Sequence, residues 1–475
     1  MIPDDLEQLS KEDLIKIIML QAQELAEYQV EIAAVREEFK NLKADYEALK
    51  MKFEKHQKPP TSSKNSSQPP SKDQKGNMPQ GRHRHKHGSP FGHEKHEREF
   101  VAQADHIVNI RKDKCSCCDT DLSSERGELI KVNQITEIPE AKAQVIEVRQ
   151  YQVVCPKCQE VQVEKPPEGL DMERTFGSRL EALVVYYRQE QHMSYKRTQL
   201  ALLYLHGITI SQGGIDNIMQ RAGNQAILRA KSIEKDIKQS RVIHSDETSS
   251  RVMGDNWWEW VFWTKQSILH IIRHNRSVDV IRDVMGTSVA EVWVCDCYGA
   301  QLNAPAWFYQ LCLAHQLRNL QAVVEAHPTQ TWARAMQVLF RYAIHLHHQR
   351  HILSSEQFLL QLARIENHCD RLLQRSLDSP DANRLKKRYL KHRQKLFVFL
   401  YRSDVEPTNN VSEQALRPSV VHRKVTGCFR SDWGTKAYAA LASVIDTAEL
   451  NGINAFQAIQ SLFPVPALPI PIGGE

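Results

Sequence analysis

Apolar residues recur along residues 11–53 at alternating steps of three and four. Charged residues fill many positions between them, and no Gly or Pro interrupts the run. This heptad pattern lasts about six repeats and predicts a coiled coil, which we assign to residues 1–55. A single helix docked on its own chain is the alternative. The seam consists of Leu14, Ile18, Leu25, Tyr28, Ile32, Val35, Phe39, Leu42, Tyr46, Leu49 and Phe53, with Gln21 as a polar residue that can fix the register.

A second helical pattern covers residues 177–238. It predicts one helix, a short turn at His206 and Gly207, and a second helix capped by Ser211. Because this is helix-turn-helix spacing, we assign residues 171–238 to a helical DNA-binding domain. An ordinary helical hairpin is the alternative, since the second helix offers few side chains that could read bases.

Strand signals begin at Arg241 and predict three antiparallel strands, with a turn at residues 254–256. A helix follows, from a Ser cap to a stop at Gly286, and then the short buried strand EVWVC. A helical crossover places that strand parallel to the first one, so we expect the two to be neighbours. Amphipathic helices over residues 311–403 predict a helical insertion between two parts of an α/β core, residues 239–310 and 404–462.

Composition limits the classes of protein to which the chain can belong. The chain has 475 residues, a net charge of +5, 41% apolar and 25% charged residues, which is typical of a soluble protein with several domains. Without an apolar run of about eighteen residues, and with an acidic N-terminus, we expect no membrane span and no secretory signal. Residues 56–100 are rich in Pro, Ser, Lys and His and predict a disordered basic linker. Its histidines, from His83 to His96, could hold metal, although solvated low-complexity sequence is the simpler interpretation. The Pro-rich tail, residues 463–475, is uninformative.

The cysteines indicate a metal rather than disulfides. Ten cysteines in so long a chain are not a disulfide scaffold, and C-x-x-C pairs indicate metal binding in a reducing, cytoplasmic compartment. Two such pairs about forty residues apart, with strand-like sequence between, predict a zinc ribbon over residues 101–170. Cys117 could replace Cys118 as a ligand, but the two-residue gap favours Cys118. The predicted ligands of one structural Zn²⁺ are Cys115, Cys118, Cys155 and Cys158.

Three acids carry the candidate chemistry. Asp246 lies on the first strand, on the opposite face from Glu247, and Asp296 ends the parallel strand. Glu413 lies in the first turn of a helix that begins at two asparagines and then becomes basic. This order of elements resembles the ribonuclease-H-like fold, in which clustered carboxylates hold two divalent ions for phosphoryl transfer. Hard oxygen ligands suit Mg²⁺, so we expect two Mg²⁺ ions at Asp246, Asp296 and Glu413.

The chain resembles the transposases of the insertion-sequence 66 family over nearly its whole length. The likeness rests on the zipper-like helix, the linker, the paired C-x-x-C motifs, HSDETSSRV, WVCDCYGAQ, CLAHQLRNL and EPTNNVSEQALRPSVVHRKVTGCFRSDWG. It implies that Asp246, Asp296 and Glu413 are the first, second and third catalytic acids. Two departures are the missing proline after DET and the cysteines that flank Asp296. Neither excludes a hard metal ion at the carboxylates.

The resemblance implies a bacterial-type, nucleoid-associated DNA transposase. It would bind the terminal repeats of its element in double-stranded DNA, cleave the ends and join 3′-hydroxyls to target DNA, as a homodimer or higher oligomer and possibly with companion proteins. A catalytically silent DNA-binding regulator and a ribonuclease-H-like nuclease without joining are the rivals. Cations after Glu413 are the expected DNA contacts: Arg417, Arg423, Lys424 and Arg430.

The sequence leaves the role of one further pair of residues open. Cys312 and His315 form a C-x-x-H pair that occurs in the family pattern. It could bind a second metal with a histidine between His345 and His351. Core contacts along one helical turn are the simpler interpretation.

Overall fold

The computed structural model describes residues 11–57, 65, 98–140, 143–170 and 174–464. Nearly all of the predicted linker, the histidines from His83 to His96 and most of the Pro-rich tail lie outside these residues. The first element, α1 (Lys11–Gln57), is one continuous helix. Its seam residues with described side chains are exposed, since Ile18, Leu25, Ile32, Phe39 and Tyr46 keep between 52% and 68% of their surface accessible. Whether α1 pairs with a second copy stays a prediction.

The cysteine-containing segment has little regular structure. A short hairpin joins β1 (Gln152–Val154) and β2 (Val161–Val163), and Val154 pairs with Val161 around the second C-x-x-C. The strand-like sequence between the two cysteine pairs forms neither helix nor strand in its described residues, 126–140 and 143–151. Its apolar side chains face solvent, and Ile130 and Val145 are more than 90% exposed.

Three helices precede the large sheet. They are α2 (Ser178–Gln189), α3 (Tyr195–His206) and α4 (Gln212–Gln239). The predicted turn and cap are confirmed: Gly207 adopts φ 67°, which favours glycine, and the Ser211 hydroxyl accepts the Gly214 N–H. However, α4 packs along its length into the core of the sheet, through Ile215, Ile218, Ala226, Ile233 and Ile237. The helices assigned to a DNA-binding domain therefore share one core with the sheet.

The five-stranded mixed sheet has the order β5-β4-β3-β6-β7. Its strands are β3 (Val242–Val252), β4 (Asp255–Trp263), β5 (Ile268–Arg273), β6 (Ala290–Cys295) and β7 (Ala306–Leu311). The predicted antiparallel meander is confirmed for β3, β4 and β5, and β6 is parallel to β3 as expected. The crossover helix α5 (Val278–Met285) runs from the Ser277 cap to Gly286, as the sequence predicts.

Strand β7 is an addition that the sequence did not predict. It pairs in parallel with β6 at the edge of the sheet. Its second and third residues, Trp307 and Phe308, are both apolar and both exposed, so the strand lacks the alternation by which a half-buried strand is recognised.

Helices close the remaining faces. After β7 come α6 (Leu313–Ala326), α7 (Thr331–His348), α8 (Ser355–Gln374), α9 (Pro380–Lys391) and α10 (Val398–Tyr401), which form the predicted helical insertion. They pack against Val292 and Val294 of β6. The insertion begins and ends at one point, because the Leu313 N–H donates to the Pro407 carbonyl at 2.9 Å.

The chain then returns to the sheet through α11 (Asn410–Thr426), α12 (Asp432–Leu450) and α13 (Ala455–Gln460). Helices α4 and α12 approach so closely that a Cβ on Gly223 would lie 2.7 Å from the Ala437 Cβ. Only glycine fits at this crossing. Helices α2 to α4, the sheet and the C-terminal helices therefore share one core that supports the acids.

Candidate catalytic site

Asp246 and Asp296 come together through the register of two parallel strands. In β3 and β6, His244 pairs with Val294. Continuing this register by two residues places Asp246 opposite Asp296, just beyond the end of β6. Each carboxylate is oriented by a backbone donor: the Glu247 N–H donates to Asp246 Oδ1 at 2.9 Å, and the Tyr298 N–H donates to Asp296 Oδ1 at 2.7 Å.

The pKa of Asp246 indicates that several other carboxylates lie near it. Burial raises the pKa of Asp246 well above its usual value, and the carboxylates of Glu247, Asp296 and Glu413 raise it further. Like charges at close range disfavour ionisation of one another. All of these acids therefore lie within electrostatic range of Asp246.

Glu247 lies on the opposite face of β3 from Asp246, where its side chain is buried and has several partners. Its side chain is 1% exposed and pairs with Arg276, whose Nε donates to Glu247 Oε1 at 2.8 Å. Gln301, which is fully buried, donates to the other Glu247 oxygen and accepts from the Ser245 hydroxyl at 3.0 Å. Burial raises the pKa of Glu247, and the Asp296 carboxylate raises it further.

Arg276 completes this network. Its guanidinium lies over the rings of Trp258 and Tyr298, at 4.6 Å and 3.8 Å from their centroids. The Tyr298 hydroxyl donates to the Arg276 carbonyl at 2.8 Å. The network thus ties the loop after Asp296 to strand β3. Reasoning from the sequence missed these partners, because they come from three separate segments.

Helix α11 carries Glu413 and is fastened to β3 by Asn409. The Asn409 amide donates to the Ser245 carbonyl at 2.7 Å, and Asn409 Oδ1 lies 3.2 Å from His244 Nδ1. Asn409 is at the N-cap position, as predicted, but its side chain does not bond the helix backbone. It accepts from the Ser412 hydroxyl instead, at 2.9 Å. Its side chain is occupied in joining the helix to the strand.

Glu413 itself faces the start of the helical insertion. Arg318 Nη2 donates to both Glu413 oxygens at 2.9 Å, and His315 Nε2 lies 3.5 Å from Glu413 Oε1. Cys312, His315 and Glu413 place one ligand atom each within 4.8 Å of one another. Within the described residues, this is the one group of three such atoms, so the oxygens of Asp246, Asp296 and Glu413 do not all lie within that distance of one another. The histidines between His345 and His351 are not part of it, so the partner considered from sequence is replaced by Glu413.

The four expected DNA contacts differ in exposure. Arg417, Lys424 and Arg430 are exposed. Arg423 is half-buried, its Nη2 lies 3.3 Å from Thr248 Oγ1, and burial lowers its pKa. Part of the Arg423 side-chain surface therefore packs against β3.

The two C-x-x-C motifs form matching turns. In each, the N–H of the residue four positions after the first cysteine bonds back to that cysteine's carbonyl, at 3.0 Å for Asp119 and 2.9 Å for Gln159. These two residues also share a positive φ, 57° and 60°. The turns do not bring Cys115, Cys118, Cys155 and Cys158 together as one group of ligand atoms in the described structure.

The fold and the acids define a multidomain α/β protein whose mixed sheet presents carboxylates at the ends of neighbouring parallel strands. A sequence profile described as "Transposase IS66 family" matches residues 173–437, which is more than half of the chain. The protein belongs to the IS66 (insertion-sequence 66) family of transposases. No curated protein matches it. None of the helices in the described part is both long and apolar enough to cross a membrane.

Proposed function

We propose that the protein is a transposase of the D-D-E type that cleaves the ends of its element in double-stranded DNA and joins their 3′-hydroxyls to target DNA. The observation that carries the proposal is the register of β3 and β6, which sets Asp246 opposite Asp296 with Glu413 in electrostatic range. The sheet order supports a ribonuclease-H-like catalytic core, because two parallel strands follow an antiparallel meander.

The residues present fit divalent metal ions. Burial and, after it, repulsion by neighbouring carboxylates raise the pKa of Asp246, and a cation between the carboxylates would relieve the repulsion. Carboxylate oxygens are the ligands Mg²⁺ prefers, so Asp246, Asp296 and Glu413 would hold two Mg²⁺ ions. When bound, the ions would supply activation of an attacking water or 3′-hydroxyl and stabilisation of the leaving oxygen.

The protein's own side chains orient and support these acids. The backbone bonds from Glu247 and Tyr298 each engage one oxygen of Asp246 and Asp296 and so fix the direction of the other. The buried side chains of Glu247 and Gln301, together with the partly exposed Arg276, hold the two supporting segments in register. A site whose supporting shell is rigid keeps its ligands preorganised.

The parts outside the acids would serve DNA. Exposed Arg417, Lys424 and Arg430 are suited to phosphate contacts, which supply affinity without reading sequence. The seam of α1 would hold two copies, and therefore two element ends, together. The matching cysteine turns are suited to one structural Zn²⁺ between them.

The test is cleavage and strand transfer on labelled element ends, with and without Mg²⁺. Asp296→Asn and Glu413→Gln should each lower the rate by roughly 10⁴-fold or more, and about as much as the double variant, because ligands acting as a unit are not additive. Binding to end DNA should persist in both variants, since it depends on cations.

The matched control is Asp283→Asn, which removes an exposed acid of α5 in the same domain. It should keep wild-type activity. Full activity in Glu413→Gln would contradict the site assignment. Cleavage without joining in the wild type would make the protein a nuclease instead.

A further inference from the structure

The corner formed by Cys312, His315 and Glu413 combines a sulfur, a nitrogen and an oxygen donor. These atoms come from the first turn of α6, from the residue just before it, and from the first turn of α11. Mixed donors of this kind suit Zn²⁺ and similar ions, whereas Mg²⁺ requires oxygen. The corner therefore differs in chemistry from the set of three acids, although it shares Glu413 with that set.

The spacing matches two ligands of one ion better than a hydrogen bond. His315 Nε2 and Glu413 Oε1 are 3.5 Å apart, which is longer than an N–H···O bond of about 2.7–3.2 Å. Two ligands at about 2.0–2.2 Å from a tetrahedral Zn²⁺ lie roughly 3.4 Å from each other. The observed separation is close to that value.

The three side chains at the corner differ in how far other groups satisfy them. His315 keeps 11% of its side-chain surface, and its Nδ1 is buried without a hydrogen-bond partner among the described residues. Cys312 is fully buried, and its Sγ accepts the Asn409 N–H at 3.1 Å. Burial raises the pKa of the Cys312 thiol to about 12, so an ion that binds there has to displace the thiol proton.

We propose that Cys312, His315 and Glu413 form a second metal site, which takes a borderline divalent cation such as Zn²⁺ and leaves the fourth coordination position to water. An ion at this site holds the Glu413 carboxylate and competes with Arg318 for it. It also competes with the catalytic ions for the same carboxylate. The binding stands on the geometry alone, whereas this competition rests on the proposed catalytic role of Glu413.

The first measurement is the zinc content of the full-length protein after equilibrium dialysis. Cys312→Ser and His315→Gln should each hold one zinc fewer per chain than the wild type. Each variant is compared with the wild type. Zinc bound at the ribbon cysteines contributes equally to both proteins and does not affect the difference. Cys428→Ser is the matched control, because Cys428 lies in the loop after α11 and outside the corner. It should hold the wild-type amount.

Cobalt(II) provides a second readout. The wild type should show thiolate-to-cobalt charge-transfer absorption in excess of Cys312→Ser, and Cys428→Ser should not lose it. If Cys312→Ser does not fold, as judged by circular dichroism, His315→Gln decides the zinc content. Equal zinc content in the wild type and in the folded corner variants would overturn the proposal.

The competition is tested by titrating zinc into the Mg²⁺-dependent cleavage reaction. For each variant, activity is expressed relative to its own zinc-free rate. The zinc concentration for half inhibition should rise roughly tenfold or more in His315→Gln, which is the usual cost of weakening a metal site. An unchanged inhibition profile would overturn the competition.

Asp246→Asn separates the two proposals. It removes a catalytic acid but no ligand of the corner, so it should be inactive and yet bind zinc like the wild type. Zinc binding without this loss of activity would overturn the catalytic assignment alone.

Discussion

Apolar side chains are largely exposed in the cysteine segment and buried in the sheet. In residues 98–140 and 143–170, side chains such as Ile130 and Val145 remain more than 90% exposed. In the sheet, Trp260 and Trp293 are fully buried. Burial of apolar surface is the main source of folding free energy, so the sheet region can order itself. The described residues of the cysteine segment lack such a core, and we predict that their order comes from a bound ion.

The matching cysteine turns make this contrast specific. Each turn is already closed by its own backbone hydrogen bonds, so each can present two thiols before any ion is bound. What an ion would add is the link between the turns. The following predictions test the contrast between an ion-ordered region and a core-ordered region, starting from the largest effect.

Removing one ribbon ligand should abolish the order of one region only. We expect Cys155→Ser to lose the structural Zn²⁺, because three thiolates no longer complete its tetrahedral shell. Amide hydrogen exchange should then become fast in the β1–β2 hairpin and stay slow in β3 to β6. Cys369→Ser, in the core of the insertion, should keep the ribbon zinc. Retention of this zinc by Cys155→Ser would refute the ribbon.

Removing α1 tests a third source of order, a second copy of the chain. The exposed seam of α1 has an apolar residue every seven positions, from Ile18 to Tyr46. We expect deletion of residues 1–55 to reduce the mass in solution to that of a monomer, while slow exchange in the sheet is unchanged. An unchanged oligomer would place the contact between copies elsewhere.

The core of the sheet should respond strongly to a single truncation. Trp260 is fully buried and stacks on Phe262, with ring centroids 6.5 Å apart. Trp260→Ala should lower the free energy of unfolding of this region by about 3–5 kcal/mol, since it leaves a cavity. Trp307→Ala is the control: Trp307 is 69% exposed on β7, and its loss should cost at most about 0.5 kcal/mol. Equal effects would contradict the assigned core.

The smallest predicted effect concerns pH. His270 is buried between two acids: Nδ1 lies 3.2 Å from Glu259 Oε1, and Nε2 lies 2.9 Å from Asp446 Oδ2. Burial alone would lower the pKa of His270, but hydrogen bonds to Asp446 and Glu259 raise it to about 9. The proton on His270 therefore stabilises the folded state below the unfolded pKa of about 6.5.

This stabilisation should disappear as the pH rises through about 9. Urea unfolding of the sheet region, followed by hydrogen exchange, should show stability that falls between about pH 6.5 and pH 9. His270→Gln should flatten the profile in that window. A profile of equal slope in the variant would show that other groups are responsible.

Local signals explain which parts of the fold could be predicted. The meander, the crossover helix and the adjacency of β3 and β6 follow from alternation, caps and the connection rule, all read within a few residues. Strand β7 was missed because Trp307 and Phe308 are exposed and break the alternation. The shared core of α4 and the sheet was missed as well, because an amphipathic face does not specify what it packs against.

Some contacts of the candidate site could also be predicted from the sequence, and others could not. Asp246 and Asp296 follow from strand register, so their proximity could be predicted. The partners of Glu413 could not, because Arg318 lies 95 residues away along the chain and only the folded insertion brings it near. Glu247 was placed on the correct strand face, but its bond to Gln301 spans 54 residues and has no local signature.

The backbone hydrogen bond at the point where the helical insertion leaves and rejoins the sheet has a consequence for chain length. Since Leu313 and Pro407 are in contact, the residues between them form a loop whose ends are already closed. The closure entropy of such a loop grows only with the logarithm of its length, by about 0.6 kcal/mol for each doubling. Helices after α6 can therefore be gained or lost inside this excursion at little entropic cost, whereas α6 itself carries Arg318, which binds Glu413.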